Sequence, residues 1–349
     1  MTVITVLGEI EESELGVVLP HEHLIANGTM QWAKPQDPDE LLASLQPLSP
    51  ADRVRSQMAP FHYRSVLSSL DPLEAIDGLR SFREAGGKTV VDLSPPAFGR
   101  DPVALKAIAE LSGLNVVMGC GEYVESAHSQ YVAVCSIGQI RDSLISEIVE
   151  GVGNTGIRAG IIGEIGSGNP VTAAEEKVLR AAAQAQLATG VALNIHRSVF
   201  PDPLAGIDAL RIVLDEGVDP TRVVMSHCDE RPEPEFSLEV GRSGAFIELD
   251  TFGMEHWAAN CIQKGELVRR SFDSDRVDLV KTIAEAGHIK QLLISQDVAM
   301  KTQRLTYGGA GYAHISTNIE PILLQEGFTP EEIAGIRVDN PRRMLCISH

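Results

Sequence analysis

Val17-Val18-Leu19-Pro20-His21-Glu22-His23 is an apolar run of strand length that ends in two imidazoles. Residues two apart on a strand share a face, so both rings point the same way. Seven more runs of this kind follow: Thr89–Leu93, Asn115–Gly119, Gly160–Ile165, Val191–His196, Arg222–His227, Ala245–Asp250 and Gln291–Asp297. Near-continuous apolar strands belong to a parallel sheet covered on its outer face. Helical patterns separate them. One runs from Pro72 and stops at Gly86-Gly87. An Ala-rich one runs from Thr172 to Gly190, with Thr172 and Glu175 spaced as a capping box, and another runs from Pro203 to Glu216. Eight strands alternating with helices predict an α/β fold, a (β/α)8 TIM barrel formed as one domain over residues 1–349. An open doubly wound sheet is the alternative that strand count leaves. Residues 1–14 read as an N-terminal hairpin over the barrel floor. Residues 26–70 read as an insertion between strands 1 and 2 that caps the top face.

Composition narrows the class of function. In 349 residues, 29 Lys and Arg stand against 48 Asp and Glu, a net charge of −19. Nucleic acid and anionic membrane surfaces repel such a chain, so a small molecule is the expected partner. No apolar run reaches the roughly 18–20 residues of a membrane span, and the acidic start is unlike a signal peptide. Five scattered cysteines without CxxC spacing read as reduced thiols of a cytoplasmic protein.

The chemistry collects at the C-terminal strand ends, where a barrel gathers its catalytic groups. His21 and His23 close strand 1, His196 strand 5, His227 strand 6 and Asp297 strand 8, while Glu164 sits alone in apolar strand 4. Taken singly, each has a plainer reading: HxH arises by chance, Glu164 can pair with Arg158, and Asp297 can cap a helix. Taken together, four imidazoles and two carboxylates form a ligand set for two divalent ions. Zinc suits these donors, and Mn2+, Co2+ or Fe2+ fit them too. Tyr123 follows strand 3, and Arg197, Lys301 and Arg304 follow ligand-bearing strands; all four are candidate substrate-binding residues, the cations for an acidic group. Asp229 and Glu230 read equally as surface residues, and His314 as a partner to the site or a cover for it. Cys228 reads as a packing thiol. His62, His128, His256 and His288 read as structural or surface residues.

The sequence resembles the phosphotriesterase-related branch of the amidohydrolase superfamily. The stretches that carry this are Leu19–Leu24, Gly160–Gly166, Val224–His227, Tyr307–Ile315 and Asp339-Asn340-Pro341. The resemblance implies a binuclear metal centre, with His21, His23 and Asp297 on a buried metal and His196 and His227 on a more exposed one. The phosphotriesterases themselves bridge their metals with a carboxylated lysine. Strand 4 has no lysine, and Glu164 stands in the Gly-Glu-Ile-Gly setting of glutamate-bridged relatives. A lactone or an N-acyl amide of an acidic small molecule is then expected ahead of a phosphotriester or aryl ester. In the implied mechanism a metal-bridging hydroxide attacks the carbonyl and Asp297 carries the proton. A non-catalytic small-molecule-binding barrel is the rival from another class. The resemblance also implies a homodimer.

Overall fold

The computed structural model describes residues 1–199, 202–255, 260–263 and 266–347. It forms a barrel of eight parallel strands in one sheet that follows chain order. From first to eighth the strands are Val17–Glu22, Gly87–Asp92, Asn115–Cys120, Ile161–Ser167, Leu193–Arg197, Val223–Met225, Phe246–Leu249 and Leu292–Ile294. At the seam between eighth and first, Asp297 N–H donates to the His21 carbonyl at 3.1 Å. There the Ser295 hydroxyl also donates to that carbonyl at 2.9 Å. The TIM barrel expected from the eight runs is therefore the observed fold.

Side chains leave the strands alternately. One set, including Leu19, Val90, Val116, Ile162, Leu193, Val223, Ile247 and Leu292, packs outward with helix residues such as Leu79, Phe82, Leu105 and Val178. The other set fills the barrel and takes a residue from, or directly before, every strand: Val18, Val91, Val117, Ile161, Ala192, Val224, Phe246 and Leu293. A polar tier lies above this apolar one. Asn194, Ser226 and Glu248 hydrogen-bond one another there at 2.8–3.0 Å.

The helices start and stop where their ends are chemically satisfied. Asp71 and Asp101 accept from backbone N–H groups at the starts of Pro72–Glu84 and Pro102–Ser112. Thr172 and Glu175 form the expected capping box of Ala173–Thr189, which ends on Gly190 at φ 75°. The helix expected from Pro203 begins only at Ile207. The Arg197 guanidinium takes the carbonyls of Pro203 and Ala205, the acceptors an earlier helical turn would use.

Thr2–Thr5 and Gly8–Glu11 form an antiparallel hairpin. It lies under the barrel, where Val6 N–H donates to the Val116 carbonyl. Gly160 is required at this contact, since a Cβ there would lie 2.2 Å from the Ile4 carbonyl oxygen. In the 26–70 segment, Ala26–Asn27 pairs antiparallel with Ser68–Ser69 and draws the ends together. Tyr63, Val66 and Leu67 of this segment pack on Met300. No helix among the described residues is long and apolar enough to cross a membrane. Cys120, Cys135, Cys228 and Cys346 are free thiols.

Candidate active site

Strict alternation does not by itself aim the candidate ligand residues inward. Val18 faces the barrel interior, so plain alternation from it would turn His21 and His23 outward. A register shift between Leu19 and Glu22 corrects this. Strand four repeats the device: Ile161 faces inward, and a shift between Ile162 and Ile165 turns Glu164 inward as well. After strand six, Ser226 faces the interior, and His227 follows it inward on a left-handed backbone at φ 56°. Asp297 is also left-handed, at φ 46°. Left-handed backbone costs a residue with a Cβ about 1–3 kcal/mol. The surrounding hydrogen bonds hold both residues in place.

The structure brings together all six residues of the expected ligand set. Glu164 Oε1 lies 2.7 Å from His196 Nδ1, 2.9 Å from His227 Nε2 and 3.7 Å from His21 Nε2. His196 Nδ1 and His227 Nε2 approach to 2.7 Å. Asp297 Oδ1 lies 3.2 Å from His23 Nε2 and 4.0 Å from His21 Nε2. The ligand atoms of His21, His23 and Asp297 fall within 4.8 Å of one another, as do those of His21, Glu164 and His227. His21 Nε2 is buried without a hydrogen-bond partner. A buried imidazole nitrogen left unpaired, facing two carboxylates, fits a metal ligand.

Two carboxylates that the sequence reading passed over complete the site. His21 Nδ1 lies 3.0 Å from both Glu248 Oε2 and Asp250 Oδ2. His227 Nδ1 lies 3.0 Å from Asp250 Oδ1, and the same aspartate accepts the His227 backbone N–H. Such pairing directs each Nε2 toward the cavity. Glu248 and Asp250 were open to discovery, because two acids spaced i, i+2 on the seventh strand repeat the logic of the HxH pair. Ser94 Oγ, 2.9 Å from His23 Nδ1, carried no such signal.

The electrostatics follow from this crowding. Burial raises the carboxyl of Glu164, but His196, His227 and His21 outweigh it and hold it well below the usual range. Burial lowers His227 and His21, yet Asp250 and its neighbours leave both well above the ordinary imidazole value. Burial pushes the Tyr123 phenol well up, and Glu164 and Asp297 add to that. Its hydroxyl sits 3.1 Å from His196 Nε2.

His23, Tyr123, Glu164, His196, His227 and Asp297 line a cavity of about 250 Å³. Gly28, Gln31, Phe61 and Leu67 of the 26–70 segment form part of its wall, with Phe98, Met254 and Met300. The cations chosen from the sequence sit differently. Arg197 reaches the lining, but its guanidinium donates to the carbonyls of His227, Pro203 and Ala205 and stacks 3.5 Å above Phe236. Burial draws its pKa down to about 10. Lys301 and Arg304 point to Glu74, each at 3.7 Å, and neither lines the cavity. Hydrophilic residues after a strand can turn back onto the scaffold, and sequence alone does not show which do. A second cation of the described lining is Arg270, paired at 2.9 Å with Glu230, which also lines it.

Other candidates resolve individually. Arg158 pairs with Glu9, not Glu164. Asp229 is buried on Arg276 and the Thr251 N–H, not on the surface. His314 bonds Asp273 at 2.6 Å. His128 holds the Tyr123 carbonyl, and Cys228 is buried. His256 lies outside the described residues.

Comparison with known proteins agrees with this geometry. The Phosphotriesterase family profile matches residues 1–345. An N-acetyltaurine hydrolase of Danio rerio is 35% identical over 98% of this chain and 97% of its own. One from Homo sapiens is 34% identical over the same shares. A resiniferatoxin-binding protein from Rhodobacter sphaeroides superposes with a TM-score of 0.92 at 32% identity, covering 99% of this chain and 94% of that one. The organophosphorus hydrolase from Deinococcus radiodurans gives 0.75 at 25% identity, covering 99% and 97%. The chain is therefore a hydrolytic enzyme and belongs to the phosphotriesterase family.

Proposed function

We propose that this enzyme is a binuclear metal-dependent amidase that cleaves an N-acyl amide of a small acidic amine, N-acetyltaurine or a close analogue. The observation that carries the metal-dependent reading is the unpartnered Nε2 of His21, facing Glu164 and Asp297 beside three further imidazoles. Similarity to N-acetyltaurine hydrolases along both chains supports the amide class. On this reading His21, His23 and Asp297 would hold one ion, His196 and His227 the other, with Glu164 available to both. Two divalent ions bound there, zinc by the nature of the donors, would supply an activated water and polarise the scissile carbonyl.

The protein's own groups do the rest. Asp297 opens to the cavity, with its side chain 16% exposed. It accepts the proton of the attacking water and passes it to the departing amine nitrogen. Tyr123, kept protonated by its surroundings, is a donor for a substrate oxygen. Glu248 and Asp250 hold the His21 and His227 rings in one orientation. The reading includes a cytoplasmic homodimer, which cell fractionation and light scattering check.

Assay of metal-loaded protein on matched N-acetyltaurine, γ-lactone, aryl ester and phosphotriester substrates tests the class. The amide should give the highest kcat/KM. A lactone or phosphotriester turned over tenfold better would replace this reading with that of the organophosphorus hydrolase. Absence of both turnover and bound metal would leave a binding protein.

A further inference from the structure

We propose that Arg270 is the residue that receives the anionic group of the substrate, and that Glu230 competes with that anion for its guanidinium. This rests on the acidic-amine reading above and names the residue that enforces it. Arg270 lines the same cavity as Glu164, His227 and Asp297, and it is 9% exposed. Its Nη1 donates to Glu230 Oε2 at 2.9 Å, and Glu230 lies three residues beyond His227 on the same cavity wall. Ser271 N–H donates to the Glu230 carbonyl, which fixes the two segments to each other.

Two comparisons favour Arg270. The other cation of the described lining, Arg197, spends Nε and Nη1 on three backbone carbonyls and its face on Phe236. Lys301 and Arg304 lie on Glu74, outside the lining. Among these, Arg270 is the one paired with a carboxylate that itself lines the cavity. A planar guanidinium can hold a carboxylate and a sulfonate through different N–H groups, or exchange one for the other. With a chain at −19, an anion needs such a local cation to enter. Glu230 then sets selectivity: it repels an anion that does not reach Arg270, and it balances the cation when the cavity is empty.

The test separates this site from the amidase reading by using binding, not turnover. Titration calorimetry on metal-loaded protein would compare 1-propanesulfonate with butanamide, a neutral probe of similar size. Arg270→Met should reduce the preference for the sulfonate about 10- to 100-fold, the loss of a charge-assisted hydrogen bond, and Arg270→Lys should restore part of it. Glu230→Gln should act in the opposite direction and tighten sulfonate binding. A pair that only braces the loop would give the same sign for both variants. Equal loss for both probes, or no change in preference in Arg270→Met with melting temperature retained, would overturn the proposal. If the preference shifts as expected but no N-acyl amide is hydrolysed by the parent enzyme, the anion site stands and the amidase reading falls.

Discussion

In the proposed metal centre Glu164 is the pivotal residue, because one oxygen lies within 4 Å of three imidazoles. Glu164→Gln keeps the shape and removes the charge that offsets them, so the variant should lose at least one metal equivalent by elemental analysis. Retention of both metals with full turnover would remove Glu164 from the bridge. Asp297→Asn tests the proton role separately. General acid–base steps contribute about 10²–10⁴-fold, so kcat should fall by that order while KM moves little. Metal content measured alongside distinguishes lost proton transfer from lost metal. All six ligand candidates were legible in the sequence, because each ends or interrupts an apolar strand. Arg270 was not. It follows Glu266–Arg269, which pairs with Asn260–Gln263 in a short hairpin outside the eight apolar runs, and only the folded chain shows which cations face the cavity and which, like Lys301, turn to Glu74.

At the scale of elements, the eight strands were readable and their inward faces only partly so. Alternation holds along strand five, where Ala192 fills the interior, Asn194 joins the polar tier and His196 meets Glu164. It fails on strands one and four, where register shifts change the facing side within the strand. A bulge has a weak sequence signal: Pro20 beside His21, and Gly163 beside Glu164. Gly163 carries the argument furthest. It sits at φ 143°, and an added Cβ would lie 2.8 Å from both Asn194 Cβ and the Asn194 carbonyl. Gly163→Ala should therefore lower stability by about 1–3 kcal/mol and cost metal occupancy, through displacement of Glu164. Denaturant melts with and without added zinc measure both. An unchanged midpoint and full occupancy would show that strand four can hold Glu164 without this glycine.

For the molecule as a whole, the proposed centre makes metal and proton compete for one buried set of imidazoles. Ligand mass action at 100–1,000 times Kd contributes about 2.7–4.1 kcal/mol, so chelation should lower Tm by several degrees. Reloading should need no bicarbonate, since a glutamate occupies the fourth-strand position. A bicarbonate requirement would contradict that assignment. The pH trend should differ between the two forms. Without metal, His21 and His227 titrate well above 6.5 in the fold. Their contribution is then full below pH 6.5 and lost as pH rises through the folded values. Metal-free protein should accordingly become less stable from pH 6.5 upward, while the metal-loaded form, whose imidazoles must be deprotonated, should gain from the same change. Scanning calorimetry of both forms across that range reads the two slopes, and parallel slopes would refute the assignment. The net charge, by contrast, indicated the size class of the partner but not its chemistry.

The left-handed backbone of His227 and Asp297 has an evolutionary consequence. At Asp297 a glycine would sit more comfortably than the residue the chain keeps, so in the metal-free protein the replacement should raise the melting temperature while abolishing turnover. Random drift released from selection for activity would thus be drawn toward sturdier, inert descendants. A lineage that has stopped using the enzyme should betray itself at position 297 before its core begins to decay.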